Sequence, residues 1–517
     1  MFTAHDSISA RPAPARSAVP RQSGGTEPVA LGHKAVRVPA SPLISAIAGD
    51  GIGPEIMAAV QRMLAALDPS VRWETCAAGA SLFAKGVTTG VPEETLSSIA
   101  RNRVVLKSPL ETPSGHGGKS ANVTLRKYFE TYGNIRPARE LPGIVTPFTG
   151  RGIDLVVVRE NVEDVYTGVE HMQTPNVAQC LKLISRKGCE KIVRLAFELA
   201  RAEGRRNVLC VHKANIMKLT EGMLKHVFDE IASDYTGIKG DHMIVDNCAH
   251  RLVITPERFD VIVATNMNGD ILSDLTAGLI GGLGLAPSAN LGDDIAIFEA
   301  VHGSAPDIAG QNKANPTALA LAAAMMLRHL GRFDAASSLE HALLHTIAVD
   351  GVRTGDIAGK NPAAGTDRFT DKVIANLGRR VEAWTTRPYR PLSMPKITVP
   401  PPAPKCRAVV GVDIFIETSV TPEALGQHLE SIAKATAFRL KIIESRGAQV
   451  FPLNGAETDL LDHYRCRFVL DRHGRSAADD DVLALLAAVG ASYGWMHVEK
   501  LQSFDGTPGF TLAAGEA

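Results

Sequence analysis

The chain has 517 residues, 45% hydrophobic and 21% charged, with Lys+Arg 55 balanced by Asp+Glu 55. A formal charge of zero removes any global electrostatic case for nucleic acid or an anionic membrane surface, and no apolar run is long enough to span a bilayer. The length suggests about three domains at roughly 150 residues each, and the seven scattered cysteines, with no C-x-x-C, fit a reducing compartment better than a disulfide framework or zinc site.

Residues 1–40 are rich in Ala, Pro, Ser and Arg and hold no signal-peptide core. Arg11, Arg16 and Arg21 suggest a transit peptide, but Pro12, Pro14 and Pro20 break an amphipathic helix, so a disordered tail is the expectation. Residues 43–48 then read as a strand. It runs into Gly49-Asp50-Gly51-Ile52-Gly53-Pro54 and a helix to Leu67, with Pro54 suited to the first helical turn. Pro54 stands where a dinucleotide fingerprint needs its third glycine, so the glycines read as a tight strand-to-helix turn. Short apolar or β-branched runs at 104–107, 154–158, 208–211 and 243–245 alternate with helical patterns such as 189–203. That alternation predicts an α/β fold with a mostly parallel sheet.

A dense polar segment follows residue 108. Ser120 and Asn122 stand near an expected helix start, where anions are favoured. Arg126, Arg136 and Arg159 supply guanidinium forks suited to carboxylates or phosphate. The alternative is a solvated helix face, the reading preferred for Arg139. Tyr166 is a candidate acid if cations lower its pKa, or else half-buried packing. Lys213 follows a strand directly, where partial desolvation would make it a base; a surface lysine is the alternative. Asp246 ends the next strand and offers a further carboxylate.

The apolar run 259–265 reads as a buried strand, and a helix is expected from Leu275 onward. Asp270 and Asp274 then lie i,i+4 on one face of the first turns. Like charges at that spacing cost about 0.2–0.5 kcal/mol. Mg²⁺ or Mn²⁺, which prefer carboxylate oxygens, would turn the cost into a gain; acids favoured at a helix N-terminus are the plainer reading. Residues 281–288 form a glycine-rich turn. Residues 299–310 form a small-residue loop before a helix capped at Asn315-Pro316, a candidate cradle for a pyrophosphate or an adenine. Seven prolines between 386 and 404 predict an extended, semi-rigid linker. Residues 405–517 then read as β-α-β-β-α-β, the ferredoxin-like split motif, with no concentrated catalytic chemistry.

Several stretches together resemble the isocitrate and isopropylmalate dehydrogenases, the β-decarboxylating dehydrogenases. They are Gly49 to Glu55, Leu106-Lys107 with Pro109-Leu110-Glu111-Thr112-Pro113, Arg159 to Tyr166, Lys213-Ala214-Asn215, Asn268-Gly269-Asp270 through Asp274, and His302-Gly303-Ser304-Ala305-Pro306. The match spans residues 43 to 385, and the combination is specific. The Ser120-x-Asn122-x-x-x-Arg126 segment looks like the isocitrate branch, because the isopropylmalate branch has an apolar pocket at the matching helix. The appended module resembles that of the longer bacterial isocitrate dehydrogenases.

The resemblance implies a two-lobed α/β fold with a mixed, mostly parallel sheet. Its large lobe would take residues 41–131 and 282–385, and its small lobe and dimer arm 132–281, ahead of a C-terminal α+β ferredoxin-like domain. It implies oxidative decarboxylation of isocitrate, bound by Ser120, Asn122, Arg126, Arg136, Arg159, Tyr166, Lys213 and Asn215. Mg²⁺ or Mn²⁺ would be held by Asp270 and Asp274, with Asp246 arriving from the other subunit of at least a homodimer. Lys213, also from that subunit, would take or relay the hydroxyl proton, and Tyr166 would reprotonate the carbon. The dinucleotide would lie along Leu110, Thr112, Glu299, His302, Gly303, Ser304, Ala305, Asp307, Ile308 and Asn315. NADP-using members show Lys-Tyr after the His-Gly-Ser/Thr-Ala-Pro motif, whereas this chain has Asp307-Ile308. A carboxylate accepts both ribose hydroxyls and repels a 2′-phosphate, so NAD is the expectation. NADP is the alternative, since the look-alikes with the extra domain often use it. Homoisocitrate or isopropylmalate dehydrogenase and a non-catalytic regulatory subunit are the rival readings. The polar 120–126 segment and the retained Asp, Lys and Tyr count against them. A cytoplasmic bacterial enzyme is expected ahead of a mitochondrial one.

Overall fold

The computed structural model describes residues 41–83, 85–111, 120–387, 389–395, 397, 403–453, 455, 458–471 and 475–512. The expectations for the tail at 1–40, for Thr112 and for Pro388, Pro400, Pro401 and Pro402 lie outside them. Twelve strands precede the C-terminal module. They are β1 (Leu43–Ile47), β2 (Arg72–Cys76), β3 (Val104–Lys107), β4 (Gly133–Arg139), β5 (Asp154–Glu160), β6 (Glu170–Thr174), β7 (Val177–Cys180), β8 (Asn207–His212), β9 (Lys239–Ile244), β10 (Val261–Ala264), β11 (Pro287–Leu291) and β12 (Ala296–Ala300).

Ten of them form one sheet in the order β2-β1-β3-β12-β11-β4-β5-β10-β8-β9. The pairs flanking β11 and the β4–β5 pair are antiparallel and the others parallel, so the sheet is mixed and mostly parallel. β5 and β10 are near-continuous Val/Ile runs with Val156, Val157, Val158, Ile262 and Val263 fully buried, as a strand covered on both faces requires. The amphipathic helix Arg186–Glu203 buries Ile192, Leu195, Phe197 and Leu199 in the same core. Loops at the carboxyl ends of parallel strands are where such sheets place ligands. Arg159 and Glu160 end β5, Lys213 follows β8, and Asp246 follows β9.

The other two strands, β6 and β7, pair as a separate hairpin. The C-terminal module has its own six-stranded antiparallel sheet and its own core. Its elements are β13 (Arg407–Glu417), a helix Pro422–Ala433, β14 (Phe438–Ser445), β15 (Ala448–Phe451), β16 (His463–Leu470), a helix Asp479–Gly490, β17 (Gly494–Phe504) and β18 (Thr507–Pro508). The order β15-β14-β16-β13-β17-β18 is the split βαββαβ motif with two short edge strands that the sequence pattern did not show. Asp462, just before β16, accepts hydrogen bonds from Thr174 Oγ1 (3.1 Å) and Asn176 Nδ2 (3.3 Å) at the hairpin.

The linker differs from a free spacer. Leu392 and Met394 pack on the main core, Arg328 lies over the Tyr389 ring at 3.8 Å, and Arg390 N donates to Ala202 O. Its apolar side chains find a surface to bury against, which proline counting does not register.

Candidate active site

The helix carrying the aspartate pair is Asn266–Leu279, so it starts directly after β10, a full turn before Asp270. This corrects the expectation of a helix from Leu275 with the pair in its first turns. The reason is a remote cap: Met267 N donates to Asp164 Oδ2 at 3.0 Å, far away in sequence. Asp270 and Asp274 therefore lie beyond the orphan N–H groups, and a helix N-terminus does not account for them.

Arg159 reaches under this helix. Its Nε and Nη2 donate to Asn266 Oδ1 at 3.0 and 2.7 Å, and its Nη1 pairs with Asp270. Gly269 makes room for it: a Cβ there would sit 2.7 Å from Arg159 Cγ. That is the physical content of the Asn-Gly-Asp motif. From β4, Arg136 Nη1 donates to Ser273 Oγ (2.7 Å) and pairs with Asp270 Oδ1 (3.3 Å) and Asp274 Oδ1 (3.4 Å). Tyr166 OH donates to Asp270 Oδ2. Arg126, on the helix Ala121–Tyr128, pairs with Glu299 at 3.2 Å. Arg139 stays apart, paired with Asp154 and lying over Trp384.

The charges act on one another. Burial works to raise the Asp270 pKa, but Arg159 and then Arg136 outweigh it, and the net shift is downward. For Asp274 burial wins over Arg136, helped by the neighbouring Asp270 charge, and the pKa rises. For Tyr166 the condition that cations lower its pKa is not met. Its pKa is instead raised, by burial first and by donation to Asp270, against the pull of Arg159. Burial, Arg126 and Arg136 all disfavour the Arg159 charge, yet a guanidinium keeps its proton throughout the accessible pH range. The cluster thus holds cations at close quarters, an arrangement that anions relieve.

Two carboxylates at i,i+4, both oxygen donors, suit a hard divalent cation. One chain offers no more: among the described residues no group of three His, Cys, Asp or Glu side chains could hold a metal. Asp246 lies in the first turn of the helix Val245–Ile254, not at a strand end, and its partner is Lys213 Nζ at 2.7 Å. A single chain therefore does not bring Lys213 and Asp246 to Asp270. Asn215 is exposed beside them. Ser120 is the N-cap position of the 121–128 helix, and Asn122 Nδ2 donates to Leu110 O while its Oδ1 is buried with no hydrogen bond among the described residues.

Family models match the chain in two places. Residues 43–373 match "Isocitrate/isopropylmalate dehydrogenase". The chain belongs to that family. Residues 407–516 match "Bacterial isocitrate dehydrogenase, C-terminal domain". The chain is 58% identical to the isocitrate dehydrogenase [NADP] of Thermus thermophilus, across 92% of this chain and 96% of that protein. A crystal structure of a protein from Thermus thermophilus superposes with a TM-score of 0.89 at 58% identity, again covering 92% and 96%. The isocitrate dehydrogenase of Methylococcus capsulatus matches with a TM-score of 0.62 at 45% identity, covering 65% of this chain and 99% of its own.

Several residues expected along the dinucleotide have partners within the chain. Glu299 lies in β12, not in the loop, and is buried. Lys107 Nζ (2.6 Å), Arg126 and Asn290 Nδ2 (2.7 Å) take up its carboxylate. Burial would raise its pKa, but Lys107 and then Arg126 drive it far down, and within the chain it anchors Arg126. The Leu110 side chain is buried in an apolar cluster, which leaves only its backbone to face a ligand. Asn315 spends its amide on Asp356 Oδ2 and on capping Thr317 N. What remains open is the loop itself: Gly303 and Asp307 are exposed, Ile308 half-buried, and His302 Nε2 is buried with no hydrogen bond among the described residues. Asp307 and Ile308 share the short 3₁₀ turn Pro306–Ile308, while Lys313 donates to Gln311. The glycine turn at 49–53 braces this loop. A Cβ on Gly51 would collide with the Ser304 carbonyl oxygen, to which Ile52 N donates at 2.8 Å. Lys107 was legible as a lone cation closing an apolar strand; its pairing with Glu299 was not.

Proposed function

We propose that the protein oxidises isocitrate and releases CO₂ to give 2-oxoglutarate, reducing a nicotinamide dinucleotide. One observation carries the reading: Arg136, Arg159 and Tyr166 all converge on the aspartate helix through Asp270. Counting Lys107, Arg126, Arg136 and Arg159 against Glu299, Asp270 and Asp274, the site has one cation in excess. A divalent ion would raise the excess to the charge that a tricarboxylate neutralises. Arg126, Arg136 and Arg159 would bind the carboxylates as forks, with Ser120 and Asn122 donating from the helix start and Asn215 from the second subunit. Lys213 would accept the hydroxyl proton, and Tyr166, which holds its proton firmly, would return one to the carbon that CO₂ leaves. Mg²⁺ or Mn²⁺ on Asp270, Asp274 and Asp246 would polarise the C2 oxygen and stabilise the negative charge left by decarboxylation.

Because one chain keeps Lys213 and Asp246 away from Asp270, the complete site needs a second copy. Ile216, Leu219, Val253, Ile254, Met267 and Ile271 are large, apolar and exposed on the segments that carry these residues, which fits an interface between copies. We take the catalytic body as residues 41–385 and the module as 405–517. The name of the Thermus thermophilus relative favours NADP. The exposed Asp307 beside Ile308 favours NAD, since nothing at the 306–308 turn supplies a cation for a 2′-phosphate.

The deciding experiment measures initial rates with isocitrate and Mn²⁺, varying NAD and NADP separately. Turnover with either supports the reading, and the larger kcat/KM assigns the cofactor. No turnover with either would sink it.

A further inference from the structure

Behind these side chains lies a buried ionic knot. Asp164 and Glu221 are fully buried. Between them Lys182 Nζ reaches Asp164 Oδ1 at 2.7 Å and Glu221 Oε1 at 2.8 Å. Two carboxylates on one ammonium leave a net buried charge, which is tolerable only if the remaining lone pairs are hydrogen-bonded. They are, and each bond leads to a segment of the proposed site. Asp164, held at φ 69, accepts from Val165 N, next to Tyr166, and from Met267 N. Glu221 accepts from Thr265 Oγ1 (3.0 Å), Asn268 Nδ2 (3.1 Å) and Lys213 N (3.0 Å). A single carboxylate thus ties the backbone of Lys213 to the first turn of the helix that bears Asp270 and Asp274.

We infer that Glu221, held by Lys182 and Asp164, is a positioning residue that fixes the Lys213 backbone to the first turn of its own chain's aspartate helix. The inference rests on the function proposed above for Lys213 and Asp270. If Lys213 serves the neighbouring subunit, Glu221 joins two active sites through one side chain. A knot that merely stabilised the fold would also satisfy these acceptors, so the two roles part at kcat: only a positioning role lowers it while KM and folding hold.

The test is Glu221→Gln, which keeps the shape and lets Lys182 keep Asp164. We expect kcat to fall about tenfold to a hundredfold, with the isocitrate KM changed by less than about twofold and the midpoint of thermal unfolding still far above the assay temperature. Amide hydrogen exchange of the free protein should speed up in peptides covering 212–217 and 264–270 and stay unchanged in the C-terminal module. Should Glu221→Gln fail to fold, Thr265→Val removes one bond to Glu221 and is expected to move both readouts in the same direction by less. A lower melting temperature with unchanged kcat, or unchanged exchange at 212–217, would overturn the inference. Exchange needs no substrate, so a protein that does not turn over isocitrate would sink the reaction but leave the Glu221 link decided.

Discussion

The surroundings of Asp270 and the 302–308 loop are built differently. Around Asp270 every charged side chain is held by another: Arg159 by Asn266 and Asp270, Arg136 by Ser273 and both aspartates, Arg126 by Glu299. Along 302–308 the chain offers backbone, a His302 nitrogen with no partner among the described residues, and one exposed carboxylate. Electrostatic catalysis needs groups whose orientation is already set, and mutual pairing in a buried site sets it. Dinucleotide choice needs only a favourable or repulsive group at one edge. The first is therefore expensive to alter and the second cheap.

The largest effect should come from the chemistry itself. Lys213→Met is expected to lower kcat by about a thousandfold. The unfolding midpoint in urea should hardly move, because Lys213 is only half-buried and its partner Asp246 is exposed. A loss of less than about tenfold would remove Lys213 from proton transfer.

Next comes the held side of the comparison. Glu299→Gln leaves Lys107 buried beside a neutral amide, and should cost about 3 kcal/mol in denaturant unfolding at neutral pH. The sign with pH follows from the lowered pKa of Glu299. Its contribution is fully present above the ordinary carboxyl value of 4.5 and is lost as pH falls below it. The variant should therefore lose less stability on acidification than the parent. A parallel pair of curves would break the argument.

The loop side should show a change in specificity without a change in stability. Asp307→Lys with Ile308→Tyr is expected to raise the NADP-to-NAD ratio of kcat/KM on the order of a hundredfold, since like-charge repulsion is worth several kcal/mol. Thermal melting should be unchanged. A stability loss would mean that the turn is less independent of the core than its exposure indicates.

The smallest effect concerns Glu160, next to Arg159. Burial pushes its carboxyl up to about 7, against the pull of hydrogen bonds from Val162 N and Glu163 N. A raised pKa adds stability at low pH, and that stability fades as pH rises from 4.5 toward about 7. Glu160→Gln should flatten the melting temperature across that window and nowhere else.

Much was legible beforehand because it is local. The strand-helix alternation, the Asn268-Gly269-Asp270 motif, the Pro-rich break and the βαββαβ order all show in spacing and residue type along short windows. The position of Asn315 as a cap was legible for the same reason. Glu299 misled because its neighbours in sequence form a small-residue loop, while its burial depends on β3 and the 121–128 helix lying beside it. The helix from Asn266 started early because its cap, Asp164, comes from another loop.

By itself the sequence determined the fold class, the order of elements and which residue types would stand at strand ends, since hydrophobic periodicity and turn chemistry act over a few residues. Which cation meets which carboxylate was decided only in three dimensions. With 55 basic and 55 acidic residues the pairings are too many to read from spacing, and their energies depend on burial, which raises the strength of a pair and the cost of losing one partner together. Asp164, Lys182 and Glu221 share no motif; folding alone makes them neighbours.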